Sequence, residues 1–204
     1  EQWWWRVRYR TEAGEAVELA NEIRLPVGER VAFSLTSPDV IHSFWIPSLG
    51  GKVDMIPGRT NELVLEPTET GPFRGACAEY CGTSHALMNF AVVVMTREAF
   101  DLWLAKQAEP AQPPSTELQQ TGQQAFLANG CGACHQVRGT EADGTIGPDL
   151  THVGSRLTLA AGTLPTDVDT FKRWIGHSGA IKPDVKMPAF GMLPEAQLNA
   201  MAHY

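Results

Sequence analysis

Two short stretches concentrate the side chains able to do chemistry. Cys77-Ala78-Glu79-Tyr80-Cys81-Gly82-Thr83-Ser84-His85-Ala86-Leu87-Met88 packs two thiols, an imidazole and a thioether into one segment. Soft donors of that kind select copper over hard cations. A second imidazole, His42, lies upstream in Asp39-Val40-Ile41-His42-Ser43-Phe44-Trp45. The residues alone leave three other readings open. Cys77 and Cys81 form a disulfide, or hold zinc with His42 and His85, or supply a blue-copper site with one cysteine to spare. The other stretch is Cys131-Gly132-Ala133-Cys134-His135. Thiols three residues apart can add to the two vinyl groups on one edge of a haem, and the adjacent imidazole then takes an axial position on iron. A redox-active cysteine pair would want a βαβ setting, and half a zinc site would want another cysteine pair. This motif follows a helical pattern and has neither. The second axial ligand should be soft and come from further along the chain.

The elements that must position these groups differ between the halves. In Trp5 to Arg10 three arginines alternate with three apolar residues, the period-2 pattern of a strand with one wet face. Val31, Phe33 and Leu35 alternate in the same way, and Asp39–Ile46, Asn61–Glu66 and Phe90–Thr96 are further strand-like runs bounded by Pro/Gly punctuation. Such spacing predicts a sandwich or Greek-key barrel. Arg97 to Gln107 carries Phe100, Trp103 and Leu104 on one helical face. After that the pattern is helical. Thr116 to Gln119 fits a capping box opening a helix to about Ala128, and Thr166 to Asp169 resembles another before Phe171, Trp174 and Ile175. His177-Ser178-Gly179 reads as a stop, and Pro194 suits the first turn of a last helix. Between the halves, Ala108 to Thr116 supplies three prolines and no large apolar residue. It is expected to be extended and to pack poorly. The expected division is therefore 1–107, a linker at 108–116, and 117–204.

With 204 residues, 43% apolar and 19% charged, the chain has the composition of a folded protein of one or two domains. Sixteen basic against 23 acidic residues argues against nucleic acid as a partner. The best apolar run, Phe90 to Met95, is strand-sized and far too short to span a bilayer. The chain opens on Glu1-Gln2-Trp3-Trp4-Trp5 without an initiator Met, which reads as a soluble piece of something longer.

The motifs together resemble known families. Gln2-Trp3-Trp4-Trp5, His42-Ser43-Phe44-Trp45, Pro47-Ser48-Leu49-Gly50, Asp54-Met55-Ile56-Pro57-Gly58-Arg59 and the Cys77–Met88 run are similar to the extramembrane domain of cytochrome c oxidase subunit II. That resemblance implies an all-β cupredoxin-like Greek-key barrel holding the dinuclear copper A centre. It implies that Cys77 and Cys81 bridge both coppers, that His42 and His85 each bind one, and that Met88 and the Glu79 carbonyl are weak outer ligands. It further implies the Glu79 side chain as a ligand to magnesium at the contact with oxidase subunit I, and Trp3 as the point of electron entry. An interfacial belt is the competing role for the Trp triplet. Nitrous oxide reductases carry a similar copper motif with Trp at the position of Glu79, and a copper-A nitric or nitrous oxide reductase is the alternative function.

The second half resembles class I cytochromes c through Cys131–His135, Gly147-Pro148-Asp149-Leu150 and Lys186-Met187-Pro188-Ala189-Phe190. The resemblance implies an all-α cytochrome c domain with covalent haem c on Cys131 and Cys134. It implies His135 and Met187 as axial ligands, with Met192 the competitor, and the Pro148 carbonyl behind the imidazole. Trp174 and Arg156 resemble haem-lining residues, whereas His152, His177 and His203 read as surface or loop histidines. A copper A domain followed by a cytochrome c domain is similar to caa3-type subunit II. The implied role is to pass electrons from haem to copper and on to subunit I, for oxygen reduction coupled to proton pumping. Tethering would raise the effective concentration of donor at acceptor. The implied donor is soluble cytochrome c, another small redox protein or a bc-type complex. The implied location is the periplasmic face of a bacterial membrane, with an anchoring transmembrane hairpin upstream.

Overall fold

A computed structural model describes residues 1–10 and 16–204. The first half is built of strands, β1 (Arg6–Arg10), β2 (Ala16–Ala20), β3 (Glu22–Pro26), β4 (Val31–Leu35), β5 (His42–Trp45), β6 (Val53–Met55), β7 (Asn61–Leu65), β8 (Gly71–Cys77) and β9 (Asn89–Met95). They form a five-stranded sheet in the order β3-β9-β8-β5-β6 and the two-stranded pairs β4-β7 and β1-β2. Within the five-stranded sheet β3 runs parallel to β9 and the other pairs are antiparallel.

Alternation decides which side chains enter the core. Phe90, Val92 and Val94 of β9 point inward with Ile23 and Leu25 of β3, Leu35 of β4, Phe44 of β5 and Leu65 of β7. Trp5 packs edge-on against Phe90 with ring centroids 4.9 Å apart, and Phe44 stacks on Phe90 at 5.2 Å. Gly75, paired with Phe90 across β8 and β9, leaves room for that ring: a Cβ there would lie 1.9 Å from Phe90 Cζ. Cys77, Cys81 and Met88 belong to the same cluster, so the metal-ligand run is anchored in the domain core.

The expected strand over 39–46 begins only at His42, because Asp39 is engaged in a turn that accepts hydrogen bonds from Ser37, Val40 and Gln2. Within the Trp triplet the members differ, Trp4 being half-buried. Trp3 and Trp5 are buried, 7% and 5% exposed.

Helix α1 (Arg97–Ala108) lays Phe100 and Trp103 against Tyr9, then α2 (Glu117–Ala128), α3 (Val168–Ile181) and α4 (Glu195–His203) form the second half with a short β10-β11 pair, Thr158–Leu159 and Leu164–Pro165. Ala125, Leu198 and Met201 join α2 to α4 in a separate, smaller core. Thr116 caps α2 by accepting from Gln119 N–H, but the Gln119 amide oxygen closes the box on Ser115 N–H. Asp167, not Thr166, caps α3, a carboxylate accepting from Thr170 N–H at 2.8 Å. The expected stop at His177 is a kink: its backbone leaves helical geometry and one further turn continues to Ile181. Pro194 stands at the N-cap of α4 instead of inside its first turn.

The linker does not hang free. Its Ala111 N–H donates to Arg138 O at 2.9 Å, and Glu109 O accepts from His152 Nε2 at 2.9 Å. Further bonds cross directly between the halves, from Leu157 N–H to Glu22 Oε2 at 2.8 Å and from Asn89 N–H to Ala161 O at 2.9 Å.

Candidate metal centres

β5 presents His42 beside the end of β8, which carries Cys77, and the loop before β9 brings Cys81, His85 and Met88 back to the same place. The two sulfurs of Cys77 and Cys81 stand 3.8 Å apart, nearly twice a disulfide bond of about 2.05 Å, and both thiols are free. Each sulfur has its own companions. Cys77 Sγ lies 3.8 Å from His42 Nδ1 and 3.2 Å from the Glu79 carbonyl oxygen. Cys81 Sγ lies 3.5 Å from His85 Nδ1 and 3.9 Å from Met88 Sδ. Among the described residues, His42, Cys77 and Cys81 form a group with donor atoms all within 4.8 Å of one another; His85 stands outside it. One tetrahedral ion would draw both imidazoles to the same point. Two imidazoles placed against different sulfurs suit two ions sharing the thiols.

Burial governs the protonation of the donors. Burial, then the neighbouring Cys77, pushes the Cys81 thiol up to about 12. Two ionised sulfurs at this distance need positive charge between them. Burial lowers the His42 pKa and keeps its imidazole neutral, the ligating form. Its Nε2 donates to Asp39 Oδ1 at 2.9 Å, which fixes the tautomer and leaves Nδ1 toward the sulfur. Burial raises the Asp39 carboxyl, yet hydrogen bonds from Gln2 N–H, His42 and Val40 N–H outweigh it and hold the group well below the usual carboxylate range.

In the second half, Cys131, Cys134, His135 and Met187 all line one cavity of about 770 Å³, within the size range of cofactor sites. α2 ends at Asn129, left-handed Gly130 turns the chain, and the short Cys131–Ala133 turn delivers both thiols. His135 Nδ1 donates to Pro148 O at 2.8 Å, the contact expected of Pro148, and Nε2 is left for a metal. Gly147 lies against that ring, where a Cβ would come within 2.6 Å of His135 Cε1. Burial lowers the His135 pKa, so this imidazole too is neutral. Trp174, Arg156 and Phe190 share the lining, whereas Met192 is 78% exposed and off the wall.

Ser178 and Lys182 are positioning residues that carry no sequence signal of their own, and the N-terminal segment adds two more contacts. Ser178, fully buried, donates to Met187 O at 2.8 Å and holds the methionine loop onto α3. Gln2 and Trp3, from the first half, also line the cavity, and both donate to one atom, the Cys81 carbonyl oxygen, from Nε2 at 2.8 Å and Nε1 at 3.1 Å. Lys182 is buried between the halves. Burial pushes its amine down to about 7, opposed by the nearby Cys81, and the amine donates to the carbonyl oxygens of Trp3, Leu87 and Ala160 within 3.1 Å.

Family comparison matches residues 6–95 to "Cytochrome C oxidase subunit II, periplasmic domain" and residues 119–204 to "Cytochrome c". The first half belongs to the subunit II family and the second to the cytochrome c family. Curated proteins named cytochrome c oxidase subunit 2 match the chain across both halves. The one from Alkalihalophilus pseudofirmus is 39% identical over all of this chain and 58% of its own length, and that from Bacillus sp. PS3 is 34% identical over all of this chain and 59% of its own. The chain thus spans less than two thirds of these relatives. A solved periplasmic domain of oxidase subunit II from Bradyrhizobium japonicum is 34% identical, covering 52% of this chain and 86% of that one, with a TM-score of 0.49. The subunit II domain has the cupredoxin-like strand arrangement and the cytochrome domain is helical. Among the described residues no helix is long and apolar enough to cross a membrane.

Proposed function

We infer that this chain is the electron-entry part of a caa3-type terminal oxidase, relaying electrons from haem c to dinuclear copper A and on to subunit I for oxygen reduction coupled to proton pumping. In this reading Cys131, Cys134, His135 and Met187 would hold the haem. Cys77, Cys81, His42, His85, Met88 and the Glu79 carbonyl would hold the coppers. When bound, these groups would supply reversible one-electron chemistry. The chain's own residues do the rest. Asp39 and Pro148 orient the imidazoles, Ser178 sets the methionine loop, and the core of the first half keeps water from His42, Cys77, Cys81 and Met88.

The observation that carries the reading is the pair of bonds from Gln2 and Trp3 to the Cys81 carbonyl, made by residues that also wall the cavity of His135 and Met187. Trp3 therefore touches both sites, which suits it as the point of electron entry to copper. The relatives' names favour the oxidase over a nitrogen oxide reductase. The same reading places the chain at the periplasmic membrane face, held by an upstream transmembrane hairpin, with an external cytochrome c, small redox protein or bc-type complex as donor. The Glu79 carboxylate would then face subunit I as a magnesium ligand. Metal analysis of the matured protein should give two coppers per covalent haem, and stopped-flow reduction by such a donor should reach haem before copper. Copper reduced first would reverse the order proposed.

A further inference from the structure

The contacts that join the two ligand loops use none of the donor atoms of either centre. Residues 182–184 open the loop that leads to Met187, and residues 83–87 lie between Cys81 and Met88. These stretches are bonded directly. Thr83 Oγ1 donates to Asp184 Oδ2 at 2.6 Å, Ser84 Oγ donates to Pro183 O, and Lys182 Nζ donates to Leu87 O at 2.9 Å. Lys182 Nζ also reaches Trp3 O at 2.5 Å and Ala160 O at 3.1 Å. One amino group thus gathers the segment that walls the haem cavity, the copper-ligand loop and the turn between β10 and β11. Lysine is rarely buried without a partner, yet this one is 2% exposed and its partners are main-chain oxygens from both halves. Two of its three partners lie in the other half, so its bonds chiefly join one half to the other.

We propose that Lys182 is a positioning residue for transfer between the two centres, a clasp that fixes the Met187 loop on the His85–Met88 loop and so sets their separation. The proposal rests on the relay reading above. Electron tunnelling falls off exponentially with distance, so the contact that fixes the separation fixes the rate.

The test uses the assembled, membrane-embedded oxidase with Lys182→Met and, separately, Thr83→Val. Thr83 is exposed, and its substitution cuts one rim bond of the clasp without emptying a buried site. Haem and copper contents and spectra are checked first, then haem-to-copper transfer after rapid photoreduction of haem, and hydrogen exchange over 83–88 and 182–187. Lys182→Met with both spectra intact should slow transfer severalfold, since tunnelling falls off exponentially with the separation that the clasp sets. Exchange over both segments should accelerate together. Thr83→Val should do the same to about two- or threefold, and Lys182→Met/Thr83→Val should be no slower than Lys182→Met because the bonds act as a unit. Unchanged rate and exchange in Lys182→Met overturn the proposal. If that variant fails to hold its cofactors, unchanged behaviour of Thr83→Val overturns it instead. Rapid exchange over both segments in the unsubstituted oxidase also overturns it, with the relay untouched. Absence of any haem-to-copper transfer in the unsubstituted oxidase defeats the relay reading, which the exchange measurement does not depend on.

Discussion

The two centres are built in opposite ways. On the copper side the two cysteine sulfurs each sit 3.5–3.9 Å from a neighbouring donor, with Cys77, Cys81 and Met88 inside the core of the first half, and the donors are drawn there from β5, β8 and the loop before β9. The haem-side donors surround a void, walled by the helical half, the linker and the N-terminal tryptophans together. A site preassembled by a core needs only its ions, whereas an enclosure shared among segments depends on their docking. Breaking one centre should therefore leave the other chemically intact, while disturbing the contact between halves should be felt more on the haem side.

The largest effect tests that independence. Cys81→Ser should abolish the copper spectrum and leave the covalent haem spectrum unchanged, read by optical and electron paramagnetic resonance spectroscopy. Met187→Ala should keep haem attached but open an axial position, so that imidazole or carbon monoxide binds where it did not before; Met192→Ala should change neither. Asp39→Asn should weaken copper binding about 10- to 100-fold by releasing the orientation of His42, measured by competition with a chelator. A milder probe is pH. Since Cys81 is pushed up to about 12, it is protonated without metal and must lose its proton on binding. Copper affinity of the metal-free protein should rise by about tenfold per unit as pH increases, from that proton alone, and a flat profile would mean the thiol is already ionised.

The two centres also differed in how far the sequence showed them. Cys131–His135 and Cys77–Met88 are legible because few donor sets at such spacing have another use. Strand β9, with Phe90, Val92 and Val94 inward, is legible through its β-branched alternation. Strand β8, Gly71-Pro72-Phe73-Arg74-Gly75-Ala76-Cys77, shows no such pattern and is a strand because β5 and β9 flank it. Tertiary pairing overrides weak local preference there. The same holds for β2, β3 and β6. Asp39, Ser178 and Lys182 look ordinary in sequence, since what makes them positioning residues is which distant atom they reach. Proline content singles out the linker but says nothing about partners, and Glu109 and Ala111 find theirs on His152 and Arg138.

That course of the linker has an architectural consequence. Ala111 to Ser115 form part of the lining of the haem-side cavity, so the connection between halves is masonry as well as cord. Splicing extra residues into it would do more than lengthen the reach of one domain from the other. It would lift a panel from the chamber and admit solvent to His135 and Met187, tying the permissible length of the connection to the chemistry it encloses.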